Sequence, residues 1–397
     1  MIFAFRMVQQ DGKFTTIPLA KPLQMVRPDL LCHLNVLSAD ASFEHLLPHL
    51  GQRDRDMIDE LTGSRRHAFL AARDAIWASA PEGFLAQLEY QDRKPIPHRG
   101  NMSLSHSHDH AVAIYHPNLA VGVDIEGERP QLHRIAGKFL NEADREAVAK
   151  NANPNWALRV LWGAKESLFK AANIPGLIWA DDMVIDAIAS ITGVGRTLAH
   201  VRGRTFDILY QTVGSDCLVV AAERPSSWHV VITGGESTGK SSLAAALHAK
   251  VSSHIVPEFA REYLSLHGPE YVGEDVEAMC QGQVRSRDQA LQKGDQLVLS
   301  DTDVLNYCVW TAAKYQKVPE SVSRAWDQST AHLHLLCAPD IPWESDTLRE
   351  NPDSREALHA QFEHGLRAKK MPFVLIEGQG ESRVAAAEKA IDQLMGR

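Results

Sequence analysis

Cysteine is scarce and scattered. Cys32, Cys217, Cys280, Cys308 and Cys337 are odd in number and never form a C-x-x-C pair, so neither a disulfide framework nor a cysteine-bound zinc is expected. Basic excess is lacking too: 41 Lys and Arg stand against 50 Asp and Glu, a formal net charge of −9. That balance gives no general means of binding nucleic acid by counterion release. No apolar run is long enough to span a bilayer. The brief apolar opening, residues 1–6, meets Gln9, Gln10 and Asp11 at once and has no charged lead of the signal-peptide kind. A cytoplasmic location is expected, with no membrane or nucleic-acid partner. Internal repeats and low-complexity segments are also missing.

What is present suffices for more than one core. The chain has 397 residues, 44 % of them hydrophobic, enough for two domains of ordinary size. The clearest seam is Glu223-Arg-Pro-Ser-Ser-Trp228, which predicts domains over 1–222 and 228–397. Before the seam, residues 206–210 and 217–222 read as strands joined by a turn at 214–216. Residues 111–115 and 119–125 read as a strand pair turning at His116-Pro-Asn118, and 62–79, 132–150 and 156–172 carry helical spacing. That order predicts an α+β domain. After the seam, strand-like runs at 229–233, 296–300, 333–337 and 372–376 alternate with helical segments, which predicts α/β with a mainly parallel sheet.

Three stretches of the first region carry charge in suggestive places. In Val121-Gly-Val-Asp124-Ile-Glu126, residues two apart on a strand face one side, so Asp124 and Glu126 present two carboxylates together. Such hard oxygen ligands suit Mg²⁺, although acidic residues also end solvated edge strands. In Leu161-Trp-Gly-Ala-Lys165-Glu166-Ser-Leu-Phe-Lys170, Glu166 and Lys170 share a helix face and Trp162 and Phe169 can enter a core. The bland alternative is a solvated Glu–Lys pair. Lys94-Pro95 and Ser103-Leu-Ser105-His106-Ser107 complete the set.

Taken in order, K-P, S-H-S, G-[IV]-D-x-E and W-x-x-K-E-x-x-x-K, these stretches resemble the surfactin-type 4′-phosphopantetheinyl transferases over roughly residues 1–222. Residues 66–73 and Phe139-Leu-Asn-Glu-Ala-Asp144 resemble further segments of that family, with Asp144 where Glu is usual and Ile174-Pro-Gly-Leu177 where G-x-G-L is usual. The resemblance implies two similar subdomains, and transfer of 4′-phosphopantetheine from coenzyme A to a serine of an acyl or peptidyl carrier protein. It implies that Asp124, Glu126 and Glu166 hold Mg²⁺ on the CoA pyrophosphate, and that Lys165 or Glu166 handles the serine proton. His106 and Lys170 would bind CoA phosphates, with Lys94, Ser105 and Arg66 or Arg73 assisting. A rival for His106-Ser-His108-Asp-His110 is three histidines on one strand face as a zinc site.

The second region opens on Gly234-Gly-Glu-Ser-Thr-Gly239-Lys240-Ser241, a G-x-x-x-x-G-K-[ST] loop between a buried strand and a helical run. Glycines let backbone N–H groups wrap phosphates at a helix N-terminus, Lys240 reaches the β/γ-phosphates, and Ser241 ligates Mg²⁺. ATP is the expected substrate. Gln296-Leu-Val-Leu-Ser-Asp301-Thr-Asp303 reads as a strand ending in acids. Asp301 or Asp303 could place Mg²⁺ or act as base, or Asp303 could cap a helix. With Pro257-Glu258-Phe-Ala-Arg261-Glu-Tyr263, Asp340-Ile-Pro-Trp343, Arg349 and Arg355, the region resembles the ribosylnicotinamide kinase domain of bifunctional bacterial NAD regulators. That resemblance implies nicotinamide riboside as first candidate acceptor, with Glu258, Arg261 and Asp301 facing it and Arg349 and Arg355 on a lid. The two arginines could equally form surface pairs. The regulators' H-x-G-H signature does not occur in this chain. A P-loop domain that senses nucleotide without phosphorylating anything, and a first domain that is only a carrier-binding scaffold, are the alternatives. The scaffold has no need of the full charged set.

Overall fold

The computed structural model describes residues 27–37, 42–91, 94–186, 188, 194–344 and 354–397. They form two compact units, one from Leu30–Pro225 and one from Ser226–Arg397 together with Arg27–Asp29. Among the described residues no helix is long and apolar enough to cross a membrane.

The first unit begins with β1 (Leu31–Val36), α1 (Gln52–Glu60) and α2 (Gly63–Ser79), a short β2 (Glu89–Gln91) and β3 (Lys94–Ile96) pair, then β4 (Asn101–His106), β5 (His110–His116) and β6 (Val121–Glu126). Next come α3 (Gln131–Ile135), α4 (Glu142–Lys150), α5 (Pro154–Ala172), α6 (Trp179–Asp182), β7 (Met183–Ile185), β8 (Gly195–Val201), β9 (Arg204–Val213) and β10 (Asp216–Glu223). These make a three-stranded sheet, β1-β5-β4, and a five-stranded sheet, β6-β10-β9-β8-β7, both antiparallel. The long helix α2 buries Ala71, Ala75 and Ile76 with Ala111, Ala113 and Tyr115 of β5, while α5 buries Leu161, Ala164 and Leu168 with Phe206 and Val219.

Residues 111–115 and 119–125 are strands, but they are not paired with each other: β5 lies between β1 and β4, and β6 pairs with β10. Serine hydroxyls bridge the seam between the sheets instead. Val123 N–H donates to Ser103 Oγ at 3.0 Å and Ile125 N–H to Ser105 Oγ at 3.3 Å. These bonds satisfy backbone donors that a buried strand cannot leave open. His116 accepts from the N–H of Asn118 and Leu119 and so shapes the intervening turn. The 132–150 stretch breaks between α3 and α4, because Asn141 and Asp144 form a capping box that starts a new helix.

The second unit contains β11 (Trp228–Thr233), α7 (Lys240–Lys250), β12 (His254–Val256), α8 (Phe259–His267), α9 (Gly273–Gln292), β13 (Leu297–Asp301) and α10 (Val304–Tyr315). It continues through α11 (Glu320–Asp327), β14 (Leu333–Cys337), α12 (Arg355–Ala368), β15 (Phe373–Ile376) and α13 (Glu381–Met395). Its five strands are parallel in the order β12-β13-β11-β14-β15, a P-loop NTPase fold. The near-continuous apolar β11, β13 and β14 follow from burial on both faces. The three-residue β12 is too short to show any period and escapes a sequence reading.

Candidate functional sites

In the first unit β6 and α5 meet backbone to backbone. A Cβ on Gly122 would lie 1.9 Å from the carbonyl oxygen of Ser167, and one on Gly163 would lie 2.7 Å from Val219 Cγ2. Two glycines therefore let the helix settle against the sheet, and this closeness brings Glu166 of α5 near the carboxylates of β6. Asp124 is only 6 % exposed. Its Oδ1 accepts from Ser105 Oγ at 2.9 Å and from Lys170 Nζ at 2.9 Å, while its Oδ2 is buried with no hydrogen-bond partner. Lys170 also donates to Val123 O at 2.9 Å.

Burial pushes the Glu166 carboxyl up, and the charges of Asp124 and Glu126 push it further against the pull of Lys170 and Arg129. Burial likewise raises Glu126; Arg129, paired with it at 2.8 Å, works against this, and Asp124 adds to it. Glu126 and Glu166 thus feel like charge beside the unsatisfied buried Asp124 Oδ2, an arrangement that Lys170 and Arg129 offset only in part and a further cation would relieve. No group of three His, Cys, Asp or Glu side chains among the described residues is set as a ready-made metal cage. The donor set still fits Mg²⁺, a hard cation that takes carboxylate oxygens and keeps water and substrate phosphate in its remaining positions.

Lys165, adjacent to Glu166, has a different fate. It is 0 % exposed, paired to Asp144 Oδ2 at 3.0 Å, and donates to the carbonyls of Trp179 (3.1 Å) and Met183. Its three ammonium hydrogens are all spoken for, so of the two candidates for proton transfer Glu166 alone retains the freedom to act. Burial lowers the Lys165 pKa and Asp144 opposes that. Asp144 is short enough both to cap α4 through Asn141 N–H at 3.1 Å and to take this lysine. Lys165→Met should strand Asp144 in the core and destabilise the chain by about 3–5 kcal/mol. Urea unfolding would measure the loss, and Lys165→Met combined with Asp144→Asn should recover part of it.

The other predicted residues lie as follows. Lys94, exposed on β3, has its Nζ 3.5 Å from Asn173 Oδ1, at the α5 end that carries Lys170. His106 is exposed at the end of β4. Arg73 is an interior residue, bonded to Asp54 and to Tyr90 Oη at 2.8 and 2.7 Å, and Arg66 donates to Ile58 O. Arg73 is committed to that interior bonding, whereas Arg66 is exposed and keeps further guanidinium N–H groups toward solvent. Phe169, expected in a core, is 39 % exposed beside Trp179. The three histidines do not share a strand face: His106 ends β4, His108 is exposed in the turn, and buried His110 is bonded through Nδ1 to Asp216 at 2.7 Å.

In the second unit the loop 234–239 leaves β11 and enters α7. Gly234 has φ 135° and its Cβ would meet Cys337 O at 2.8 Å; Gly239 has φ 74°. Both positions need glycine. Lys240 Nζ and Thr238 Oγ1 each bond Gly235 O, at 2.7 and 2.8 Å. Asp301 ends β13 opposite Ile232, with its Oδ1 buried and unpartnered. Thr302 follows at φ 72°, a strained value for a β-branched residue of the kind that gathers at functional sites. Asp303 caps α10 through Leu305 N–H at 3.1 Å and pairs with buried His334 at 3.1 Å, as its N-cap reading expects. A cavity of about 440 Å³ is lined by the loop, Ser241, Thr302, Glu258, Arg261 and aromatic residues including Tyr307 and Trp310. Glu258 and Arg261 pair at 2.9 Å. Arg355 donates to Ser237 O at 3.1 Å; Arg349 lies outside the described residues.

Residues 120–215 match the 4′-phosphopantetheinyl transferase superfamily. Residues 229–383 match the AAA domain family. No curated protein matches the chain. Solved structures similar to part of it include the NadR protein in complex with NR, 21 % identical over 44 % of this chain and 53 % of that one, with a TM-score of 0.36. The NadR protein in complex with NAD and AMP-PNP is 23 % identical over 43 % and 50 %, with a TM-score of 0.37. Deoxyadenosine kinase from M. mycoides with bound dATP is 13 % identical over 42 % and 99 %, with a TM-score of 0.33. The chain spans about half the length of the two NadR chains.

The transferase-type segment contains the whole β6–α5 constellation, and the AAA segment contains the loop, Asp301 and most of the cavity lining. Sequence reading missed Arg383, a lone arginine in the otherwise ordinary helix α13. It is buried against the loop, donating to Thr238 O at 2.9 Å. No local pattern announces it, because its partners come from three separate segments.

Proposed function

We propose that the chain joins two enzymes, a phosphopantetheinyl transferase that modifies a serine of an acyl or peptidyl carrier protein and an ATP-dependent kinase for a small molecule. The observation that carries the first half is the unpartnered, buried Asp124 Oδ2 among the raised carboxyls of Glu126 and Glu166. Those three residues would hold Mg²⁺, which would supply neutralising charge for the CoA diphosphate. Ser105 and Lys170 fix Asp124 through its other oxygen. Lys170 keeps its third ammonium hydrogen for a phosphate oxygen. Glu166 takes the proton of the carrier serine as that oxygen bonds to the β-phosphorus and the bond to 3′,5′-ADP breaks.

In the second half Lys240 and the loop N–H groups hold the phosphates of ATP, and Asp301 receives the proton of an acceptor hydroxyl as its oxygen bonds to the γ-phosphorus and the bond from that phosphorus to ADP breaks. The cavity favours catalysis over mere sensing, because it extends past the loop to Glu258, Arg261 and the aromatic wall, space that a nucleotide sensor does not require. Nicotinamide riboside is the first acceptor to try. Mass spectrometry of products formed from Mg·ATP with nicotinamide riboside, other nucleosides, pantetheine and dephospho-CoA tests this half. A phosphorylated acceptor should appear and vanish in Lys240→Ala. Bound ATP without any product would replace the kinase by the sensing module.

A further inference from the structure

The P-loop sits at the end of β11, and β11 is flanked by β13 on one side and β14 on the other. The cavity's lining residues accordingly fall into two sets, or wings, about the phosphate loop. One follows β12 and β13 and carries Glu258, Tyr307 and Trp310; the other follows β14 and β15 and carries Ile341, Gly380 and Val384. A nucleoside triphosphate on the loop fills one wing with its own nucleoside and leaves the other to the acceptor. The polar and aromatic wing suits the acceptor, which leaves the β14/β15 wing for the donor.

One side chain ties that second wing to the loop. Arg383 of α13 is 5 % exposed. Its Nη2 donates to Thr238 O at 2.9 Å and Ala338 O at 3.0 Å, and its Nη1 to Gly378 O at 2.7 Å and Asp340 Oδ1 at 2.7 Å. Asp340 in turn accepts from Gly378 N–H at 2.6 Å. A guanidinium has enough donors, in a fixed fork, to bond all four acceptors on the P-loop, the end of β14 and the turn after β15 at once, whereas a lysine has three hydrogens and no fixed fork. We propose that Arg383 is a positioning residue that locks the P-loop to the β14/β15 wing, so that the triphosphate and the nucleoside of the donor are gripped as one ligand. This rests on the reading that the cavity takes a nucleoside triphosphate.

The test is titration of the full chain with Mg·ATP and, separately, with Mg·tripolyphosphate, which has no nucleoside to place. Wild type should prefer ATP. In Arg383→Gln the ratio of the two affinities should fall at least tenfold, because the loop still meets phosphate while the wing drifts. Arg383→Lys should recover only part of the ratio, and Asp340→Asn, which leaves Arg383 in place, should move it in the same direction by less. A purely structural arginine would weaken both ligands equally, so an unchanged ratio in Asp340→Asn and Arg383→Lys overturns the proposal. Failure of wild type to bind ATP at all would instead remove the reading beneath it.

Discussion

Glu166→Gln should cut phosphopantetheinyl transfer severely without lowering the melting temperature of the metal-free protein at pH 7. The expected loss in kcat is about 10²–10⁴-fold, the usual weight of a positioned general base, with a further loss if the carboxylate also holds Mg²⁺. The stability half of the expectation follows from sign. Burial, then Asp124 and Glu126, raise the Glu166 carboxyl above its ordinary value. A raised carboxyl favours the folded state while protonated, and that contribution is lost as pH rises through the folded value. The ionised form of the group therefore opposes folding, and a neutral isostere does not carry that charge. The gap between variant and wild type should close as pH falls through the raised range. Mg²⁺ should raise the melting temperature of wild type and do so less for the variant. Scanning calorimetry in EDTA across pH, with carrier modification assayed in parallel, would decide. A clear drop in melting temperature at pH 7, or retained transfer, would remove Glu166 from both roles.

The second large effect is expected at Gly122. A methyl group there has no side chain to push aside, since the atoms it would meet are the carbonyl oxygen of Ser167 at 1.9 Å and the backbone nitrogen of Ala171 at 2.9 Å. Gly122→Ala can be accommodated only by lifting α5 from β6. Overpacking of this kind costs about 1–3 kcal/mol where side chains can adjust, and backbone against backbone belongs at or above the top of that range. Lifting the helix also carries Lys170 away from Asp124, now 2.9 Å apart, so transfer should fall with stability. Gly137→Ala is the control, since its Cβ would meet nothing within 4 Å and a surface change of that sort stays within about ±0.5 kcal/mol. Equal denaturant midpoints for the two variants would refute the account.

Gly122 also shows why part of the site could be read from the chain alone. Alternation on β6 put Asp124 and Glu126 together, and a helical step of four put Glu166 and Lys170 together; both are local regularities that burial preserves. The glycine-rich loop was legible for the same reason, because it needs positive φ at fixed positions. What escaped involves partners distant in the chain. The Ser103 and Ser105 hydroxyls bond to a strand some twenty residues on, and that bond separates β5 from β6, which the sequence suggests as a hairpin. Lys165 could not be told from Glu166 by spacing. Only the arrival of Asp144, Trp179 and Met183 at its ammonium shows that it supports the helix. Asp301 and Asp303 look equivalent in sequence, yet a capping bond and His334 occupy the second and leave the first its unpartnered oxygen.

The order of strands in the first unit has a further consequence, for synthesis on the ribosome. β10 is the last strand made, yet it belongs between β6 and β9. Ninety residues separate Glu126 from Asp216, so at about 5–20 residues per second the apolar β6 waits roughly 5–20 s for its partner. During that interval the hydroxyls of Ser103 and Ser105 can cover one edge of β6, while the other presents open backbone groups to any strand nearby. Nascent chains halted before residue 216 should therefore bind chaperones or associate with one another, and chains released past residue 223 should not.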